Sequence, residues 1–427
     1  MLRSQRQRVN QTRRNSVLLR NARVVLSNRT AESAGLLIEN GLIASILESP
    51  IEKSIEADSV LDLKGLTLFP GFIDIHIHGA AGVDTMDANV DDLRRVGEFL
   101  AQKGVTAWMP TLVPAPKDQY ERAVRSIEQA LVQQCSVYRL QSGFAESEKD
   151  PTKVGTLNAC TATILGLHYE GPFVNNEQCG ALQREHFRIY RNTADLETLP
   201  VIRNDRAIHM MTLAPEIVGG IDLIRELRKR NWVVSIGHTR ADAGTLDKAL
   251  KAGARHMTHF MNAMTALHHR TLGAVGWGLI HDDVTCDLIA DGIHIDRSIL
   301  QLLVRNKTSA RLSLISDAIA AAGLGDGNYQ IWGEKIVVNE GRTQNTRGHI
   351  AGSVITMLDA VRMMFSLGCS ECDVARMAAS NPAKLLGIDG YCGSIEQGKR
   401  ADLVALDDER NVRLTIIGGR VGFAPTL

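Results

Sequence analysis

The stretch that decides the fold is Pro70-Gly71-Phe72-Ile73-Asp74-Ile75-His76-Ile77-His78-Gly79. The apolar run it belongs to, residues 67–78, reads as a strand covered on both faces, because a half-exposed strand would alternate with polar positions. Side chains at i and i+2 of a strand share a face, so His76 and His78 project together. Two imidazoles aimed at one point form a metal-binding arrangement. A His-x-His on an apolar strand also suits two satisfied core histidines, so its meaning depends on what the other strands carry.

Working outward, seven more apolar runs follow at residues 106–113, 163–170, 207–213, 232–238, 256–260, 286–294 and 311–317, with helical stretches between them. Eight strand-helix units in succession predict an α/β fold of the (β/α)8, TIM-like barrel type over residues 68–384, whose chemistry sits at the carboxyl ends of the strands. The flanks differ. Residues 16–67 and 385–427 alternate short β-rich runs with turns, which predicts a small β-sandwich assembled from both ends of the chain.

The composition limits the possible partners. The 427 residues are 44% apolar and 22% charged, with Lys+Arg equal to Asp+Glu at 48 each, so nothing global proposes nucleic acid or a membrane surface. Arg3, Arg6, Arg8, Arg13 and Arg14 stand in an acid-free start, and without them the chain holds 43 bases against 48 acids, a net of −5. Residues 1–15 read as a disordered basic tail, since they lack the apolar run of a secretory signal. No run of 18 apolar residues predicts a membrane span. Seven Cys without framework spacing suit a reducing compartment, and a cytoplasmic location is expected.

The strand ends carry the chemistry. Glu170 closes the third run before Gly171-Pro172, and His238 closes the fifth. His259 opens His259-Phe260-Met261-Asn262-Ala263-Met264 at the sixth, Asp291-Gly292-Ile293-His294 ends the seventh and Asp317 ends the eighth. Imidazoles and carboxylates with room for water are the ligand set of a catalytic divalent ion, zinc or iron rather than magnesium or calcium.

These motifs resemble the amidohydrolase superfamily and, more narrowly, the N-acetylhexosamine-6-phosphate deacetylases. The resemblance extends through Ile350-Ala351-Gly352-Ser353, Asn381-Pro382-Ala383 and Gly398-Lys399-Arg400-Ala401-Asp402. It implies that Glu170, His238 and His259 bind the catalytic metal, with His76 and His78 supporting a second ion in members that keep the pair. It also implies that His294 contacts the substrate carbonyl and that Asp317 is base and then acid. Asn262, Ala263 and Arg270 would hold the 6-phosphate, Arg270 from the neighbouring subunit of a homodimer, while Ala181, Ile350, Ala351 and Gly352 line the sugar. The expected reaction is deacetylation of N-acetylglucosamine 6-phosphate, or alternatively of the galactosamine epimer, towards which residues 79–88 and 265–270 lean.

One departure is Cys179-Gly180-Ala181-Leu182, where family members commonly place a His that reaches the sugar; Leu182 has no hydrogen bond to offer. A cyclic amidase would need a carbamylated Lys ending strand four, and residues 206–216 contain none. A non-catalytic scaffold would be expected to have lost ligands. Cys369-Ser370-Glu371-Cys372 lacks a second pair, and Ser370 suits a helix cap. His168 is expected to be a hydrogen-bonded core residue. His186, His209, His256, His281 and His349 carry no expected function, and Asp287, Asp291 and Asp296 are expected to be structural or solvated.

Overall fold

The computed structural model describes residues 16–48, 55–140 and 160–425. The basic tail lies outside the described residues. Both ends of the chain meet in one mixed eight-stranded sheet. Ser16–Val25, Thr30–Glu39, Leu42–Leu47, Ser59–Asp62 and Thr67–Pro70 come from the amino-terminal side, while Leu403–Leu406, Val412–Ile417 and Arg420–Phe423 come from the other. The two halves join where Thr67–Pro70 pairs antiparallel with Leu403–Leu406, Phe69 opposite Val404. This sheet has a core of its own, with Leu19, Val24, Leu36, Ile38, Leu68, Leu403 and Ile416 buried together.

The expected first barrel run, 67–78, is therefore two strands. Thr67–Pro70 belongs to the end sheet and Phe72–Ile77 to the barrel, with Gly71 between them. The Gly71 N–H donates to Asp402 O, tying the junction to the returning chain. A Cβ at Gly71 would lie 2.2 Å from Thr106 Cγ2, so only glycine passes here.

The barrel strands are Phe72–Ile77, Val105–Leu112, Gly166–Glu170, Ile208–Leu213, Val233–Ile236, His256–Met257, Thr285–Ile289 and Leu312–Ile315. Every pairing among them is parallel. The ring closes from the eighth strand to the first through side chain and turn. Ser316 Oγ donates to Asp74 Oδ2 at 2.6 Å, Asp317 N to His76 O and His78 N to Ala318 O. Helices such as Val90–Gln102, Gly220–Lys229, Ala243–Ala252 and Arg297–Lys307 cover the outside. Their starts are fixed by side chains: Asn89 and Asp92 form a capping box, and Asp242 and Asp296 each accept a first-turn N–H. Ser370 caps Glu371–Ala375 as expected. No helix of the described residues is long and apolar enough to cross a membrane.

Inside the barrel the residues are layered. An apolar layer of Ile73, Ile75, Ala107, Met109, Met210, Ile289 and Ile315 is one buried cluster. A polar layer links Thr111, His168, Thr212, Thr258 and Ser235 by side-chain hydrogen bonds. A register shift between Asp74 and Ile77 lets the first strand send Ile73 and Ile75 into the apolar layer and still aim His76 and His78 at the mouth.

Gly71→Ala drives a methyl into buried Thr106 and is expected to cost about 1–3 kcal/mol. Urea unfolding would measure it; an unchanged midpoint refutes the crowding argument.

Candidate active site

Strands supply direction: His76 and Glu170 sit at strand ends, and further converging side chains lie just past them. His238, His259 and Asp317 all lie past the last paired residue, with φ of 47°, 33° and 51°. Left-handed backbone is sparsely populated by non-glycine residues and persists only where surrounding contacts enforce it. The expected runs 256–260, 286–294 and 311–317 are accordingly shorter as strands, because the chain turns sharply to aim these side chains inward. Met261 and Ala263, with φ of 78° and 51°, continue the sharp winding after His259.

The imidazoles and carboxylates converge. Glu170 Oε1 lies 2.9 Å from both His238 Nε2 and His259 Nε2, which are 3.1 Å apart. Glu170 Oε2 lies 3.3 Å from His78 Nε2, and His76 Nε2 is 3.2 Å from His78 Nε2. Asp317 Oδ1 stands 3.2 Å from His78 Nε2 and 3.4 Å from His76 Nε2. Two triads thus share Glu170: His76 with His78, and His238 with His259. All are buried.

The donor chemistry tests whether a cation fits. His238 Nδ1–H donates to Gln178 O at 2.7 Å, so in the neutral ring Nε2 presents a lone pair to the Glu170 oxygen. Lone pair against lone pair at 2.9 Å requires positive charge between them, as a metal with an oriented imidazole provides. The ionisation behaviour points the same way. Burial opposes charge on His78, yet bonds to Asp317 and Glu170 push its pKa up to about 10. Burial would raise Glu170, but His76 and the bonding histidines hold it well below the ordinary carboxylate range. The residues fit a divalent cation held by Glu170, His238 and His259, with His76 and His78 on the other side of the same carboxylate.

A cavity of about 280 Å³ opens beside this cluster. Ala181, Leu182, Asn262, Ala263, His294, Ile350 and Gly352 line it, as does Asp317. Ala351 does not; its side chain is buried with Ile319 and Ile336, because Ala351 N is anchored on Thr343 Oγ1. Arg270 is exposed in the His268–Thr271 turn and lies off the cavity wall of its own chain. A larger cavity of about 740 Å³ at the opposite end of the barrel, near Ala107, Arg206 and Tyr391, gathers no comparable set of ligand atoms among the described residues.

His168 is a core residue as expected. Its Nδ1–H points to Ile75 O and its Nε2 accepts from Thr212 Oγ1 at 2.8 Å; burial and the nearby His76 keep it neutral. His256 faces Asp287 at 2.9 Å inside the barrel. Three features were missed. His349 lines the cavity despite carrying no expected role. Asp291, expected to be structural or solvated, bonds His294 Nδ1 at 2.6 Å. Trp332 sits at the tip of a hairpin, Gly327–Ile331 with Glu334–Asn339, and its ring lies edge-on to His78 at 5.2 Å. The Trp332-Gly333 tip, φ 53° and 73°, between alternating β runs was the available signal for that hairpin.

A shared carboxylate among four imidazoles at the mouth of a (β/α)8 barrel, with a second carboxylate alongside, defines a metal-dependent hydrolase site. Residues 67–422 match the amidohydrolase family. The chain is 36% identical over 417 residues to the N-acetylglucosamine-6-phosphate deacetylase of Bacillus subtilis (strain 168), covering 96% of this chain and 97% of that protein. It is 34% identical over 405 residues to the N-acetylgalactosamine-6-phosphate deacetylase of Escherichia coli O157:H7, covering 95% and 98%. The crystal structure of N-acetylglucosamine-6-phosphate deacetylase from Pasteurella multocida aligns with a TM-score of 0.81 at 27% identity, over 95% of this chain and 99% of that one. A mutant of the Mycobacterium smegmatis enzyme in complex with N-acetyl-D-glucosamine-6-phosphate aligns equally well, at 26% identity over 96% and 100%. The chain belongs to the amidohydrolase family, within its N-acetylhexosamine-6-phosphate deacetylases.

Glu170→Gln removes the charge both triads share. Metal analysis of the purified variant should find divalent ion reduced roughly tenfold or more; full occupancy would exclude Glu170 as a ligand.

Proposed function

We propose that this protein hydrolyses the acetamide of N-acetyl-D-glucosamine 6-phosphate, giving glucosamine 6-phosphate and acetate. The observation that carries the reading is Asp317 Oδ1, 3.2 Å from His78 Nε2 and on the wall of a cavity that also exposes Glu170, His238, His259 and His294. Glu170, His238 and His259 hold the catalytic ion, and His76 with His78 hold a second where one is present; zinc or iron suits these donors. A bound divalent cation supplies Lewis acidity, polarising a carbonyl and lowering the pKa of water from about 15.7 towards about 7.

The remaining steps fall to side chains. Asp317 is the base. Burial would raise its pKa, but His76 and His78 hold it below the ordinary carboxylate value, so it is ready to accept a proton. Water attacks the amide carbon as Asp317 takes its proton, giving a tetrahedral adduct. His294 donates to the oxygen that gains charge. Asp317 then returns the proton to the sugar nitrogen as the C–N bond breaks, and amine and acetate leave. Ala181, Ile350 and Gly352 bound the sugar, and Asn262 and Ala263 face the phosphate end.

Arg270 completes phosphate recognition from a second copy of the chain. Its exposure in a turn beside Leu267, 55% exposed, supports a homodimer contact. The six cysteines described are free thiols, which supports a cytoplasmic location. The galactosamine epimer is the second reading, supported by residues 79–88 and 265–270 and by the 34% identity to a deacetylase of that sugar.

Amine release from both 6-phosphates tests the reaction. Turnover of the glucosamine derivative is expected, with kcat reduced roughly 10²–10⁴-fold in Asp317→Asn; no turnover of either sugar by metal-replete protein overturns the proposal. Arg270→Ala should lower kcat/KM for the phosphorylated sugar about tenfold and spare the unphosphorylated one. Equal losses on both would remove Arg270 from phosphate binding.

A further inference from the structure

One carboxylate holds His294 in the cavity wall. Asp291 Oδ1 accepts the backbone N–H groups of Ile293 and His294, each at 2.8 Å, while Asp291 Oδ2 lies 2.6 Å from His294 Nδ1. Gly292, at φ 76°, reverses the chain between them. The Asp291 and His294 side chains are 3% and 7% exposed. So short a separation fits a bond with an ionised partner, since such bonds are shorter than neutral ones. Burial alone would push the Asp291 carboxyl up, but His294 and the two N–H groups hold it below its ordinary value, so it is an anion.

The proton bookkeeping is restrictive. A carboxylate only accepts, so His294 Nδ1 carries the proton of the short bond. An imidazole protonated at Nδ1 has a bare Nε2 unless the ring is doubly protonated. A bare Nε2 would face a carbonyl oxygen with a lone pair and repel the charge that develops there. An Nε2–H donor at this position therefore belongs to an imidazolium, and a buried imidazolium needs an adjacent anion.

We propose that Asp291 is a positioning residue that fixes His294 as a charged donor, with Nε2–H directed at the carbonyl oxygen of the scissile amide. The inference rests on the deacetylase reading above. Asp291 acts through His294: Oδ1 holds the backbone of the turn and Oδ2 holds the ring. The His294 proton stays on the ring throughout, so Asp317 remains the sole carrier between water and amine.

A kinetic cycle on N-acetylglucosamine 6-phosphate separates this role from that of a turn brace. Asp291→Asn and His294→Ala should each lower kcat about 10²-fold or more with KM changed less than about threefold. The double variant should match His294→Ala within about twofold, because residues acting as a unit are non-additive. A further independent loss in the double variant overturns the proposal. The second readout is the imidazole 15N spectrum of the zinc-loaded protein, with His294 assigned from His294→Ala. Two protonated nitrogens at neutral pH are expected in the unsubstituted protein and lost in Asp291→Asn. A singly protonated His294 in the unsubstituted protein overturns the charged-donor assignment even if Asp291→Asn fails to fold. Failure of the deacetylase reading would appear separately, as absent amine release by the unsubstituted protein, and the spectrum would still decide the Asp291–His294 pair.

Discussion

The structure is organised around a carboxylate that has no business being buried alone. Glu170 is 4% exposed, ringed by imidazoles from three other strand ends, and a charge so placed persists only with opposite charge beside it. The barrel meets that demand through its geometry. Parallel strands deliver their carboxyl ends to one mouth, and left-handed turns at His238, His259 and Asp317 then bend three side chains onto the same point. The cost of those backbone conformations, of order 1–3 kcal/mol each, is offset by the enclosing barrel.

Beneath the cluster, the polar layer decides which way the rings face. His168 packs edge-on against His76 at 4.7 Å and is itself pinned between Ile75 O and Thr212, which reaches Thr258 at 2.7 Å. His238 is turned by Gln178 O. The His238 ring, set by a fixed acceptor, is held ready for an ion, whereas the Nδ1 atoms of His76, His78 and His259 have no hydrogen-bond partner among the described residues and those rings are placed by packing.

Most of this was legible because strand ends are addresses. His76, His78, Glu170, His238, His259 and Asp317 each end an apolar run, and the barrel rule converts that into convergence without any long-range information. What escaped the sequence depended on contacts between distant segments. Gly71 divides the first run because the returning strand Leu403–Leu406 claims Thr67–Pro70, a pairing across more than three hundred residues. Ala351 faces inward because Thr343 holds its backbone. Asp291 was undervalued for another reason: its partner lies three residues away in a turn, where strand and helix periodicities give no guidance.

The Trp332 hairpin reaches beyond the chemistry. Its side chains Ile331, Ile336 and Val338 pack with Ile319 and Ala351 in a cluster separate from the barrel core, and Ala181 of the cavity wall rests against it. The wall of the cavity and the floor beneath it are thus packed largely apart, joined through Trp332, whose ring meets His78 and packs against both clusters. Substitutions at Ile331, Ile336 or Val338 act first on the wall above His78 and reach that imidazole only through Trp332, so one hydrolytic centre can acquire new substrate preferences by drift in a part of the chain outside the converging strand ends.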